Sequence, residues 1–161
     1  MPVESMLIGN IHADLPTIQE SFATEIGSAP VLLGDLRKLT TADQQWYHDK
    51  IMWFKKLRAG TRISESFFPL GSWLQPSPAK WDGFARLDHN GHGLMALFRN
   101  ESKAASALIE LPLLPQGRFK VRSVMNGNEL GVFSQEDWKR GVQIEFPASN
   151  AVQVVEISPT S

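Results

Sequence analysis

Apolar and polar positions follow two rhythms along this chain, and the change falls near residue 60. Met6-Leu7-Ile8 is a short apolar run that ends at Gly9-Asn10. Ile18, Phe22 and Ile26 then recur every fourth residue, which predicts one helical face, stopped by Gly27-Ser28. Val31 to Leu33 is a second apolar run, with the pattern of a strand buried on both faces. Gly34-Asp35 closes it. Thr40 or Thr41 starts a second helix, with Asp43 placed to bind free amides of its first turn. In this helix, about Thr41 to Arg58, Trp46, Trp53 and Leu57 form one row and Tyr47, Ile51 and Phe54 the next. Together they predict a broad buried stripe, read as core packing rather than a ligand platform. Residues 1–58 thus read strand, helix, strand, helix, the repeat of a parallel α/β fold.

From Thr61 to Lys80 the composition shifts to Pro69, Gly71, Pro76 and Pro78, with Phe67, Phe68, Trp73 and Trp81 in or beside the segment. This is a connector with packed aromatics that carries one or two short strands. Beyond it the rhythm is that of strands between turns. Gly83–Leu87 and Leu94–Arg99 flank Asp88-His89-Asn90-Gly91-His92-Gly93, a hairpin signal. Further strands are expected at Ala105–Leu111, Phe119–Val124, Leu130–Phe133, Val142–Phe146 and Val152–Ile157. Such spacing predicts an antiparallel sandwich.

With 161 residues, 42% of them hydrophobic and 20% charged, the chain suits a soluble protein of one ordinary domain, or a small domain plus a piece of a larger one. A net charge of -1 with no basic cluster offers no field for nucleic acid. No apolar run is long enough to cross a bilayer. Met1-Pro2-Val3-Glu4-Ser5 lacks the features of a signal peptide, and the absence of cysteine leaves the compartment open while excluding thiolate metal sites.

Candidate chemistry is sparse. His12, His48, His89 and His92 show no zinc-site spacing, and His89 and His92 lie in a polar turn where solvent exposure is expected. No glycine-rich phosphate loop and no nucleophile elbow occurs, and no cofactor is expected. Trp73 and Trp81 have the chemistry to stack on sugar rings, although burial at the junction between the two halves is the preferred expectation. Asn10, His12, Asp14 and Asp35 each follow a predicted parallel strand, so all four are candidates for one rim of a barrel. Loop capping is the alternative role for any one of them.

Two stretches then carry a resemblance. Met6-Leu7-Ile8-Gly9-Asn10-Ile11-His12, and Ser28-Ala29-Pro30-Val31-Leu32-Leu33-Gly34-Asp35-Leu36-Arg37-Lys38-Leu39-Thr40 after the first helix, resemble the last two barrel units of melibiase-type α-galactosidases. These are clan D glycoside hydrolases. Gln44 to Arg58 is similar to their last barrel helix, and they continue into an antiparallel sandwich, as this chain is expected to do. The resemblance implies an α+β chain: residues 1–60 as the last two β/α units of a (β/α)₈ barrel, 61–80 as a connector, and 81–161 as a C-terminal antiparallel β-sandwich. It implies a retaining mechanism with two aspartates about 5–5.5 Å apart, one nucleophile and one acid/base. Both lie on earlier barrel strands in that family, and no residue here matches either. Asp35 matches a position near the end of the final strand, where a supporting or rim role is implied.

The intact parent is accordingly expected to bind carbohydrate and cleave α-linked glycosides, with galactosides the expected class, while this chain alone is expected to be inactive. Cut barrel strands keep unpaired edges, so self-association through residues 1–58 is also expected, with the chain from about Lys80 staying folded as a sandwich. A reading from another class is a free-standing carbohydrate-binding sandwich against which the N-terminal segment packs; a third is a structural domain with no ligand.

Overall fold

The computed structural model describes residues 7–8, 17–27, 29–30, 36–72, 75, 77–147 and 151–160. Strands β1 (Leu7–Ile8) and β2 (Ala29–Pro30) pair in parallel, Leu7 opposite Ala29 and Ile8 opposite Pro30. Between them lies helix α1 (Ile18–Glu25), capped by Thr17, whose hydroxyl oxygen accepts the Glu20 N–H at 3.2 Å. The expected strand at Val31–Leu33 lies outside the described residues. Helix α2 (Thr41–Gly60) starts where its sequence predicts, with Thr40 as the cap accepting from the Asp43 amide at 3.1 Å.

The remainder is mostly antiparallel. Strands β3 (Phe68–Gly71), β4 (Asp82–Leu87), β5 (Gly93–Phe98), β6 (Ser106–Ile109), β7 (Arg118–Ser123), β8 (Glu129–Ser134), β9 (Val142–Glu145) and β10 (Val152–Pro159) follow in order. Six of them form one sheet in the order β3-β4-β5-β10-β7-β8, while β6 and β9 pair separately. The connector therefore donates an edge strand, β3, to the large sheet. At the β4–β5 turn Gly91 takes φ +77, the left-handed region that glycine enters without steric cost. A short helix that periodicity does not announce, α3 (Gln135–Arg140), follows β8 with a reciprocal capping box between Ser134 and Asp137.

The large sheet is covered on both faces. On one side Ala85, Leu87, Met95, Leu97, Phe119, Val121, Val155 and Ile157 meet Ala107 and Ile109 of β6, Val142 and Ile144 of β9, and Trp138 of α3. On the other, Phe84, Leu94, Ala96, Val152 and Val154 meet Phe22 and Ala23 of α1, Ile26 at its C-cap, and Tyr47, Phe54 and Leu57 of α2. Alternate residues of β4, β5 and β10 serve different layers, which is why these strands read as near-continuous apolar runs. Three layers result: helices, large sheet, small sheet with α3.

This arrangement changes two expectations. The α2 stripe is real, but its buried row is Tyr47, Phe54 and Leu57, whereas Trp46, Ile51 and Trp53 are half-buried at its border. The expectation that the chain from about Lys80 stays folded as a sandwich now carries a cost: without the helices, Phe84, Leu94, Ala96, Val152 and Val154 lose their cover, and without β3 the sheet loses an edge.

Phe54→Ala is therefore expected to cost about 3–5 kcal/mol, the range for a fully buried aromatic. Trp53→Ala is expected to cost less, since its ring borders solvent. Urea denaturation of both variants checks the order, and the reverse order would mean that α2 presents its other row to the sheet.

Candidate functional site

The parallel pairing of β1 and β2 means that the chain leaves both strands at the same end. Asn10, His12, Asp14 and Asp35, the candidates that follow these strands, lie outside the described residues, as does Trp73. Around this unit the described residues show how the helices are held to the sheet. Arg86, fully buried on the helix-facing side of β4, donates from Nε to the Ile63 carbonyl at 3.2 Å and from Nη1 to the Ile26 carbonyl at 3.1 Å. The second contact places a cation at the carboxyl end of α1, where the helix dipole favours it. From α2, Lys50 Nζ donates to the Val124 carbonyl at 2.5 Å and sits 5.5 Å from the Trp46 ring centre. Burial pulls the Lys50 ammonium down in pKa, only partly opposed by Asp49.

Trp53 Nε1 donates to Glu156 Oε2 at 2.7 Å, and the same carboxylate oxygen lies 3.4 Å from Arg122 Nη2. Its other oxygen is 3.5 Å from His92 Nε2. His89 is exposed as its turn predicts, but His92 is drawn partly inward to this carboxylate, a correction to the sequence reading. Between the helices, the Tyr47 hydroxyl donates to Glu25 Oε2. Burial pushes the Glu25 carboxyl up to about 7, against the Tyr47 hydrogen bond, which lowers it. Burial first, and the Glu25 carboxylate next, raise the Tyr47 phenol.

Trp81 is the sugar-stacking candidate that the structure does describe. It is half-buried, packs against the sandwich-side core beside Phe68, and lines two hollows at the β3 edge. Part of its side chain is buried at the seam and part of its surface faces open space. Around the larger hollow, of about 430 Å³, stand Ser72, Gln75, Lys80 and Ser102, none of which a local motif singles out. They meet through the pairing of β3 with β4, so only long-range structure assembles them. Among the described residues, no group of three His, Asp or Glu side chains is placed to hold a metal, and no helix is long and apolar enough to cross a membrane.

The class of molecule defined is a mixed α/β chain in which two helices back a sandwich-like, mostly antiparallel domain. No family model matches it, and no curated protein does. Solved structures do. The galactosidase domain of the α-galactosidase–sucrose kinase AgaSK matches with TM-score 0.73 at 13% identity, over 99% of this chain and 22% of that one. The GH36 α-galactosidase AgaA from Geobacillus stearothermophilus matches with TM-score 0.74 at 16% identity, over 99% of this chain and 22% of that one. A variant of AgaA in complex with raffinose matches with TM-score 0.70 at 18% identity, over 99% and 22%. The likeness is one of fold, and the chain spans about 22% of the length of these neighbours.

The Glu25 carboxyl gives the fold a pH dependence of fixed sign. In the folded chain it keeps its proton up to about 7, against an ordinary value of 4.5. The folded state then binds more protons than the unfolded one across that interval, so stability is fullest below 4.5 and falls as pH rises through 7. Glu25→Gln, which keeps a group able to accept the Tyr47 hydroxyl, is expected to flatten the decline in melting temperature between about pH 5 and pH 8. Equal slopes for the two proteins would contradict this account.

Proposed function

We propose that this chain is the C-terminal portion of a retaining glycoside hydrolase acting on α-linked galactosides. It would supply the last two β/α units of a catalytic barrel in residues 1–60, a connector over 61–80, and the C-terminal sandwich over 81–161. One observation carries the reading: the likeness to the α-galactosidase structures runs over 99% of this chain, helices and sandwich alike, while occupying 22% of theirs. A free-standing carbohydrate-binding sandwich would not need α1 and α2 in that same succession. The match of Asp35 to the end of the final family strand would give it a supporting role at the substrate rim, for which Asn10, His12 and Asp14 are further candidates. Carbohydrate is then the partner of the intact parent, consistent with the raffinose bound by one neighbour.

In this reading neither carboxylate of the retaining pair belongs to this chain, because no residue here matches the family's nucleophile or its acid/base. Loss of even one member of such a pair removes several orders of magnitude in rate. Unpaired barrel edges would add a tendency to self-associate through residues 1–58.

The chain alone is expected to show no turnover of aryl α-galactosides at high protein concentration; turnover that survives further purification would contradict the assignment of both aspartates to another part of the parent. The coding DNA upstream of Met1 tests the parentage itself. Six further strand–helix units with two aspartates at strand ends are expected there, and an in-frame stop or an unrelated domain would overturn the proposal.

A further inference from the structure

We infer that Trp81 is the platform of a second carbohydrate site, one that takes a single neutral hexose unit at the open edge of the sandwich. This goes beyond the barrel reading, since the site lies at the β3–β4 seam and uses no residue from the segments after β1 or β2. A sugar ring offers an apolar C–H face surrounded by hydroxyls, so a site for it needs a fixed aromatic surface with small polar groups around it. The seam supplies both. Trp81 lines both the hollow of about 430 Å³ and a second of about 230 Å³.

The indole is held in place. Gly71, at φ +61, passes so close beneath it that a Cβ there would lie 2.6 Å from ring atom Cζ3. The Ser72 amide and hydroxyl both donate to the Trp81 carbonyl, at 3.2 and 3.0 Å. Such fixing before a ligand arrives lowers the entropy lost on binding. The backbone that carries the polar rim is held in turns: the Gln75 backbone amide donates to the Ser72 carbonyl at 2.8 Å, and the Lys80 backbone amide to the Ser77 carbonyl at 3.0 Å. These bonds leave the exposed side chains of Gln75 and Lys80 available. Ser102 Oγ accepts the Ala104 amide at 3.2 Å and keeps its own proton to donate.

Two other tryptophans show a contrast. Trp53 spends its N–H on Glu156, and Trp138 is wholly buried. Among the described residues no acceptor meets the Trp81 indole N–H, so a ligand hydroxyl can take it. A single lysine among amide and hydroxyl groups does not build an anion site, and the mixture fits an uncharged polyol.

The test follows the indole N–H resonances of the five tryptophans in the ¹⁵N-labelled full chain during titration with raffinose and with galactose. The Trp81 resonance, assigned by its loss in Trp81→Phe, is expected to shift saturably while those of Trp53 and Trp138 stay in place. Trp81→Ala is expected to weaken binding by about tenfold or more, the scale of a lost aromatic contact. Asp35→Asn is expected to leave this binding unchanged. Binding that survives Trp81→Ala but is lost in Asp35→Asn would overturn the proposal and place the sugar at the barrel rim instead. No shift of the Trp81 resonance with either sugar would overturn it outright. If Trp81→Ala fails to fold, the wild-type titration and Lys80→Ala with Gln75→Ala, expected to weaken binding, decide the matter.

Discussion

A sheet whose central strands are apolar on both faces must be covered twice, and the rest of this structure follows from that. β4, β5 and β10 send alternate side chains into two separate cores. One cover comes from β6, β9 and α3, which follow the β4–β5 hairpin in the chain. The other comes from α1 and α2, which precede it. Apolar burial supplies the attraction but little direction, so orientation rests on a few polar ties. Arg86 reaches the carbonyl end of α1, Lys50 the Val124 carbonyl, and Trp53 the Glu156 carboxylate. On the opposite face Gln153 accepts from Ser123 at 3.0 Å and donates to the Glu145 carbonyl at 3.3 Å, joining the two sheets in the same manner.

This double cover bears on function. The helices that belong with the parallel pair are also structural parts of the sandwich, so the two halves are built as one body with a shared core. Under the proposed reading, the final barrel helices would be stiffened by the sandwich and the rim residues after β1 and β2 would inherit that stiffness. Preorganised groups of that kind lose less entropy when substrate binds. The same sharing leaves β3 and β6 as neighbouring edges on the far side, where Trp81 and its hollows lie.

Much of the fold is legible along the chain. Downstream strands announce themselves because short apolar runs are bounded by turn residues such as Asn90-Gly91 and Asn126-Gly127, and α2 does so through its two aromatic rows. The row that is buried is a different matter. Adjacent helical rows differ by a small rotation, and the sheet's own relief selects Tyr47, Phe54 and Leu57. Helix α3 is too short for periodicity, although Ser134 with Asp137 three residues later was a local sign of it. Arg86 reads as a surface residue until the carbonyls of Ile26 and Ile63 meet it, far away in sequence. The surroundings of Trp81 are hidden for the same reason: Gly71 and Ser102 approach it only after β3, β4 and β5 have paired. The rim candidates came from strand-end position and family resemblance, and they remain a proposal on those grounds.

Whether helices and sandwich are one cooperative unit is the claim on which the account rests, and native-state hydrogen exchange tests it most directly. Slow amides in α2 between Tyr47 and Leu57 and in β4, β5 and β10 are expected to share one opening free energy and one denaturant dependence, because neither set keeps its core without the other. Exchange in α2 that is orders of magnitude faster, with the strands still fully protected, would contradict the shared core and show a sandwich that stands without its helices.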